Sequence, residues 1–477
     1  MVSVISEFLR RMHVDATLKL ASPSFLSIPL TLLAVPLCLS AIGLADYGTL
    51  LLLILIVNQS HILLLGAEKN LIRQIISSRN AASQPASQIG GAASFVALIY
   101  GCLVAIIAAG LMHITNLDAH VTIEPAILYC FLAGIPLHFL WSVQRSILQA
   151  NEHLTGLGIM TFLYMAAVQY MPLAIILLAP EQSSLMSFLV TAIGARALVS
   201  IWLLARGETS ISFLRPNAFY SGAHIKLVFG LIGYGKWMGI NQSIQILFDG
   251  ADRYLIGLLG SPAAVALYSV PLQVSQKIAV LPVAMAQIIF NRSINAQTSQ
   301  SNWYLFVLVA AMPIGAALFF CVTDPFFKLW LGSHFSPIIT SLSIMTFVAI
   351  IFTSVNFITG SILEGAGRAR ELSMIDGMSF FPLIGLMAIL TYLYGPMGTA
   401  AAVICKEILF SAMRLYLLKP PATLWRNACL AVTVILADGY FTLMTIEGSL
   451  ASVLSVQVLI ICFWTLFIIK SPMRSKP

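Results

Sequence analysis

Lysines and arginines fall in the gaps between about fourteen apolar runs, each long enough to cross a bilayer, and that pattern leaves few folds open. A run of some twenty apolar residues matches the roughly 30 Å hydrocarbon core when it is helical. In lipid every backbone N–H and C=O must be satisfied within the element, so such runs fold as helices. A soluble alternative is excluded: 59% of residues are hydrophobic and 9% charged, too few polar groups to cover a water-facing core. A soluble chain of 477 residues would divide into about three domains, whereas here one helical membrane domain uses nearly the whole length.

Spans are expected near 20–43, 49–67, 89–112, 126–149, 157–179, 185–205, 228–260, 264–290, 303–322, 338–361, 373–394, 397–418, 428–445 and 450–469. One set of alternate loops then holds Arg10, Arg11, Lys19, Lys69, Arg73, Arg79, Arg206, Arg215, Lys226, Arg292, Arg368, Arg370, Lys419, Arg426, Lys470, Arg474 and Lys476. The other set holds Lys328 with Asp46, Asp118, Glu124, Glu181, Asp324 and Glu447. By the positive-inside rule, both termini are cytoplasmic. The net charge of +7 belongs to those loops and to anionic headgroups, and implies no nucleic-acid partner. The long first apolar run shows no cleavage site, so the N-terminus reads as an uncleaved interfacial segment carrying Val4, Ile5, Phe8, Leu9 and Met12. The far-side loops are short, the longest being about a dozen residues at 113–125 and 323–337. The seven cysteines lie within apolar runs without metal-site spacing and read as packing residues.

Two short matches reveal an internal repeat. "AIGLADYGTLLLLILI" joins spans one and two as "LLGSPAAVALYSVPLQ" joins spans seven and eight, with Tyr47 and Tyr268 lying 221 residues apart. "SILQANEH" closes span four as "SILEGAGR" closes span ten, with Leu148 and Leu363 lying 215 apart. Six spans per repeat is an even number, so both halves enter from the same side. The expected organisation is an interfacial N-terminus over 1–19, an N-lobe over 20–205, a linker over 206–227, a C-lobe over 228–418, two further spans over 428–469 and a tail over 470–477. Between such lobes a cavity is expected.

Polar residues inside the spans mark what that cavity could hold. In span seven, Asn241, Gln242, Gln245, Asp249, Asp252 and Arg253 fall within an arc of about 120°, and such a stripe must face a partner helix or water. Span eight repeats the device with Gln273, Gln276, Lys277 and Gln287, and span four with His138, Trp141, Ser142, Arg145 and Gln149. Arg145, Arg196, Lys236, Arg253, Lys277 and Lys406 form a cationic inventory, with Asp249, Asp252 and Glu407 the acids expected to be buried beside it. Two readings stand for any one of these residues, an interhelical ion pair or a cavity wall. The excess of cations favours a water-filled, electropositive cavity. No HExxH, P-loop or GxSxG pattern appears, no cofactor or metal is implied, and the chain does not read as an enzyme.

The segment "DGADRYLIGLLGSPAAVALYSVPLQ", the repeat and the fourteen spans resemble the oligosaccharide (Wzx-type) lipid flippases. Their superfamily also holds the multidrug and toxin extruders (MATE) and the lipid II flippase. The resemblance implies an all-α, MATE-like polytopic fold of two parallel six-helix lobes plus two C-terminal helices. It implies alternating access around a cationic cavity that moves an undecaprenyl-diphosphate-linked oligosaccharide from the inner to the outer leaflet of a bacterial cytoplasmic membrane. O-antigen, capsule and exopolysaccharide biosynthesis all use such a step, with a polymerase and chain-length machinery as further partners of what reads as a monomer. Ion coupling is part of that expectation, with Asp249, Asp252 and Glu407 as its candidates, and Asp252–Arg253 matches an Asp-Arg pair common in the family. The lipid II flippase carries an arginine in its first span, where this chain has only Lys19 at the edge, so the resemblance points to the surface-polysaccharide branch. Two other readings compete. A drug or metabolite antiporter of the same fold would favour acids over cations in its cavity, and a membrane glycan polymerase or ligase would need a sizeable far-side loop.

Overall fold

The computed structural model describes residues 14–60, 67–81, 86–114, 125–205, 222–294, 301–420, 422–445, 457 and 460–461. Its helices are α1 (Val14–Phe25), α2 (Ser27–Gln59), α3 (Ala67–Ala81), α4 (Ala86–Ile114), α5 (Pro125–Ala150), α6 (Leu154–Leu178) and α7 (Leu185–Ala205), followed by α8 (Gly222–Leu259), α9 (Pro262–Ile278), α10 (Val280–Ile294), α11 (Ser301–Leu331), α12 (Pro337–Gly365), α13 (Ala369–Leu418) and α14 (Ala422–Thr445). No strand occurs among the described residues. The interfacial segment expected before residue 14 and most of span fourteen lie outside the described residues.

Thirteen expected spans coincide with helices, and the breaks between them have local causes. Straight, the 50 residues of α13 would reach about 75 Å, more than twice the hydrocarbon thickness. Gly395 divides it, at φ +59° and ψ −142°, a conformation that favours glycine. Gly398 seals the bend, because a Cβ there would lie 1.9 Å from the Leu390 carbonyl oxygen. Gly43 (φ +78°) divides α2 in the same way, at the expected boundary of spans one and two. Span eight is split into α9 and α10, which meet at 53°. Pro282 explains the split: it has no N–H to offer the Ile278 carbonyl one turn back. Six helical stretches among the described residues, α13 and the combined α1–α2 stretch among them, are long and apolar enough to cross a membrane, and the α9–α10 pair makes a seventh.

By its contacts the chain forms two compact units, residues 1–266 with 367–384, and residues 267–366 with 385–477. Within the first, α4 packs on α5, α6 on α7, and both α1 and α2 on α6. The helix α3 falls where the hydropathy pattern places a cytoplasmic loop. Its Leu71, Ile72, Ile75 and Ile76 are buried at helical spacing, and it lies against α5 and α8. Gly48 brings α2 close to the start of α9, where a Cβ would lie 1.9 Å from the Pro262 carbonyl oxygen. In the second unit, α12 packs on α10, α11 and α14, with Phe319 stacked on Phe347 at 4.0 Å.

The helix ends at the second pair of matched segments are alike in local structure. Leu148 and Leu363 each stand two residues before the end of their helix, α5 or α12. Two residues after each end comes a positive φ, at Glu152 (+57°) and Gly367 (+79°), again 215 residues apart. The far-side connection expected over 323–337 is shorter than anticipated, because α11 continues to Leu331. It leaves one turn, Gly332–His334, before α12.

Candidate functional site

The first unit holds a buried column of two aromatic rings with a guanidinium at each end. Helix α5 supplies His138, Trp141 and Arg145 at i, i+3 and i+7, which puts them on one face. Tyr164 from α6 stacks on Trp141, with ring centroids 4.1 Å apart and planes 16° from parallel. The Arg145 guanidinium lies 5.6 Å from the Trp141 centroid, and Arg196, from α7, lies 4.2 Å from that of Tyr164. His138 closes the side, its Nδ1 2.5 Å from the Tyr164 hydroxyl and its ring 5.4 Å from Trp141. Arg196 is only 4% exposed and donates from Nη2 to Asn58 Oδ1 at 3.0 Å. Cation–π contacts of this kind contribute about 0.5–2 kcal/mol each, more where water is excluded.

A carboxylate completes the cluster. Glu68 on α3 is buried, accepts a hydrogen bond from the Ser142 hydroxyl, and takes another from Gln242 Nε2 on α8 at 3.5 Å. Around this group several buried polar atoms have no hydrogen-bond partner among the described residues: Trp141 Nε1, both amide atoms of Gln144, Arg145 Nε, Arg196 Nε and Gln242 Oε1. Buried donors are normally satisfied, so a concentration of unspent ones marks a place for water or a polar ligand.

The other expected site residues distribute as follows. Asn241 is buried, and Gln242 and Gln245 are half-buried. The span-seven stripe meets α3 through Gln242 and the first limb of α13 through Gln245, whose Nε2 donates to Asp376 Oδ2 at 3.2 Å. Asp252 is buried, and Arg253 Nε lies 3.3 Å from its Oδ1, so this cation is matched by its neighbour. Arg253 also donates from Nη2 to the Asp249 carbonyl. Lys236 falls within α8, but its side chain lies outside the described residues. In the second unit Lys277 and Gln273 are half-buried and Gln276 is exposed. Lys277 stands in the last turn of α9, beside the break at Ala279. Lys406 sits in a closed network. Its Nζ is 2.8 Å from Glu407 Oε1, while Asn356 Nδ2 donates to Glu407 Oε2 at 2.6 Å. Ser411 and Arg414 complete it, donating to Asn356 Oδ1 and to the Asn356 carbonyl.

The expected roll of buried acids needs correction. Asp252 and Glu407 are buried but Asp249 is exposed, while Glu68, Glu364, Asp376 and Asp438 are also buried. Hydropathy leaves Glu68 and Glu364 in or beside loops, and a single acid in an apolar run, as at Asp376 and Asp438, gives no periodic signal.

The described residues form an all-helical fold with stretches long and apolar enough to cross a membrane and a polar cluster between its helices. No family model matches the chain. Its sequence is 22% identical, over 417 residues, to a Shigella flexneri protein described as "Putative O-antigen transporter", a match covering 83% of this chain and 96% of that protein. The inward closed conformation of the lipid II flippase MurJ superposes with a TM-score of 0.66 at 12% identity, covering 94% of this chain and 98% of that one. The eukaryotic MATE transporter AtDTX14 gives 0.63 at 12% identity, with 90% and 99% covered. A Vibrio cholerae MATE transporter gives 0.60 at 16%, also with 90% and 99% covered. The chain therefore has the fold that the lipid II flippase shares with MATE transporters, and these relatives are named as transporters and flippases, not as enzymes.

Proposed function

We propose that the protein is a flippase for a polyprenyl-diphosphate-linked oligosaccharide, carried from the inner to the outer leaflet of the cytoplasmic membrane for surface polysaccharide synthesis. The observation that carries this reading is the arginine-capped column of Arg145, Trp141, Tyr164 and Arg196 with its unspent donors. A diphosphate crossing hydrocarbon must exchange water for fixed cations. Guanidinium groups suit it because their planar donors take two phosphate oxygens at once. Each charge-assisted bond is worth about 1.5–3 kcal/mol. Trp141 Nε1 and the Gln144 amide provide hydrogen-bonding groups beside it for sugar hydroxyls. The relative named for O-antigen transport and the lipid II flippase fold support the same reading.

Within this proposal Arg145 and Arg196 are the main ligands, Lys236 and Lys277 remain candidate cations of the first and second unit respectively, and Arg253 and Lys406 are balanced by Asp252 and Glu407. The lobes, cytoplasmic termini, alternating access, monomeric state and polymerase partners expected from the sequence remain part of it. The test is glycan export by cells whose only copy carries Arg145→Ala or Arg196→Ala at matched protein level; the proposal expects export to fall at least tenfold in each. A second reading, an ion-coupled exporter of cationic compounds, draws on the MATE likeness and on Glu68 at the heart of the cluster. It expects Glu68→Gln to abolish transport of a cationic dye while glycan export never depended on the chain.

A further inference from the structure

Asp438, on the helices that follow the repeat, is a carboxyl group buried among neutral neighbours. It stands on α14 and is 2% exposed. Gln457 Nε2 donates to its Oδ1 at 2.6 Å and to Thr442 Oγ1 at 3.1 Å. Thr442, one turn on, spends its hydroxyl proton on the Asp438 carbonyl oxygen at 2.9 Å. The second carboxyl oxygen, Oδ2, has no hydrogen-bond partner among the described residues.

Among the described residues no cation stands at ion-pair distance from this carboxyl group, and the one lysine of α11, Lys328, is held by Asp324 at 2.6 Å. From α11 come Phe320 and Cys321, the thiol lying within reach of the carboxyl's field. From α12 come Ile344 and Val348, whose methyl groups lie 3.8 and 3.6 Å from where a Cβ on neighbouring Gly439 would stand. Residues 446–469, which include Gln457, contain no lysine or arginine. The one basic residue of α14, Arg426, is twelve positions away, about 18 Å along the helix. The contrast with the other candidates for ion coupling is direct, since Asp252 and Glu407 each have a cation at ion-pair distance.

An ionised carboxylate without water or counter-charge is not tolerated in a low-dielectric interior, and the group neutralises instead. A metal cation would neutralise it only with several oxygens around it, whereas Gln457 turns its N–H toward the site. A proton on Oδ2 satisfies the geometry as it stands. We propose that Asp438 is a proton-binding site lying outside the six-helix repeat, loaded as the neutral acid while α14 is closed against Gln457. It releases the proton to water when that contact opens, and the Gln457 N–H remains to stabilise the carboxylate left behind. Its use as the coupling group for transport rests on the flippase reading; the proton site does not.

The experiment is infrared difference spectroscopy of the purified full-length protein in lipid nanodiscs, titrated from acid to alkaline pH without sodium. The expected result is a carboxylic-acid C=O band that disappears on deprotonation, is missing in Asp438→Asn, is shifted in Asp438→Glu and is unchanged in Cys321→Ser. Asparagine keeps the acceptor for Gln457, and the glutamate variant gives a second readout if the asparagine variant does not fold. A full set of bands retained in Asp438→Asn overturns the proposal, as does a band that sodium removes at constant pH. In cells, glycan export by Asp438→Asn is expected to lose its dependence on the transmembrane pH gradient. Export retaining that dependence removes the coupling role, whereas wild-type protein that binds the proton but exports no glycan removes the flippase reading instead.

Discussion

Replacing Lys406 and Glu407 separately and together distinguishes a structural pair from a ligand-binding cation. The two side chains are 5% and 7% exposed and lie 2.8 Å apart. Lys406→Met leaves Glu407 with Asn356 as its side-chain donor, and Glu407→Gln leaves the ammonium without its carboxylate. Breaking a buried pair from one side costs about 3–5 kcal/mol, whereas replacing both charges with neutral groups of similar volume is close to neutral. In the double variant the new side-chain amide at position 407 would still offer an oxygen to Asn356 Nδ2. Independent effects would sum to about 6–10 kcal/mol; the double variant is expected within about 2 kcal/mol of the parent, far outside the few tenths allowed for additive sites. Equilibrium unfolding in mixed detergent micelles, followed by tryptophan fluorescence, measures all four corners of the cycle. Glycan export by the double variant is expected to stay near normal at matched protein level. Additive losses would refute the pairing, and a stable double variant without export would return Lys406 to the binding set.

Other perturbations follow from the same geometry. Gly48→Ala drives a Cβ into the Pro262 carbonyl and is expected to cost about 1–3 kcal/mol or more, read as a loss of monodisperse protein on size exclusion. Gly395→Ala forces a side chain into a backbone region that favours glycine, costing about 1–3 kcal/mol and lowering the thermal midpoint without altering substrate binding in the surviving fold. Tyr164→Phe keeps the stack but removes the hydroxyl facing His138, costing about 0.5–1.5 kcal/mol. Tyr164→Ala removes the ring between Trp141 and Arg196 and is expected to abolish export. Reporter fusions at both termini should be active only in the cytoplasm; periplasmic activity at either end contradicts the charge-based topology.

Much of the fold was legible because membrane helices announce themselves by length and apolarity, and because lysines and arginines punctuate them. Gly43 and Gly395 fall where the runs are expected to part, and the prolines of span eight mark a helix that does break. Hydropathy misses α3, since its charged positions lower the average. Yet Leu71, Ile72, Ile75 and Ile76 already form a helical stripe. The column was half legible. Spacing places His138, Trp141 and Arg145 on one face, but Tyr164, Asn58 and Glu68 join them only through packing of α6, α2 and α3, which no local pattern encodes. Charge counting also assumes that acids outside the obvious stripes meet water. Glu68, Asp376 and Asp438 are buried instead, and cations such as Lys406 prove to be matched at short range.

The central claim is that Arg145 and Arg196 hold a diphosphate. The most direct measurement is binding of a short-chain polyprenyl diphosphate to the purified protein in nanodiscs, by isothermal titration, for the parent, Arg145→Lys, Arg196→Lys and the double alanine variant. Saturable binding is expected for the parent, weakened about tenfold or more in each lysine variant because charge survives without the planar pair of donors, and lost in the double alanine variant. Equal affinity in all four proteins, each folded and monodisperse, would contradict the claim.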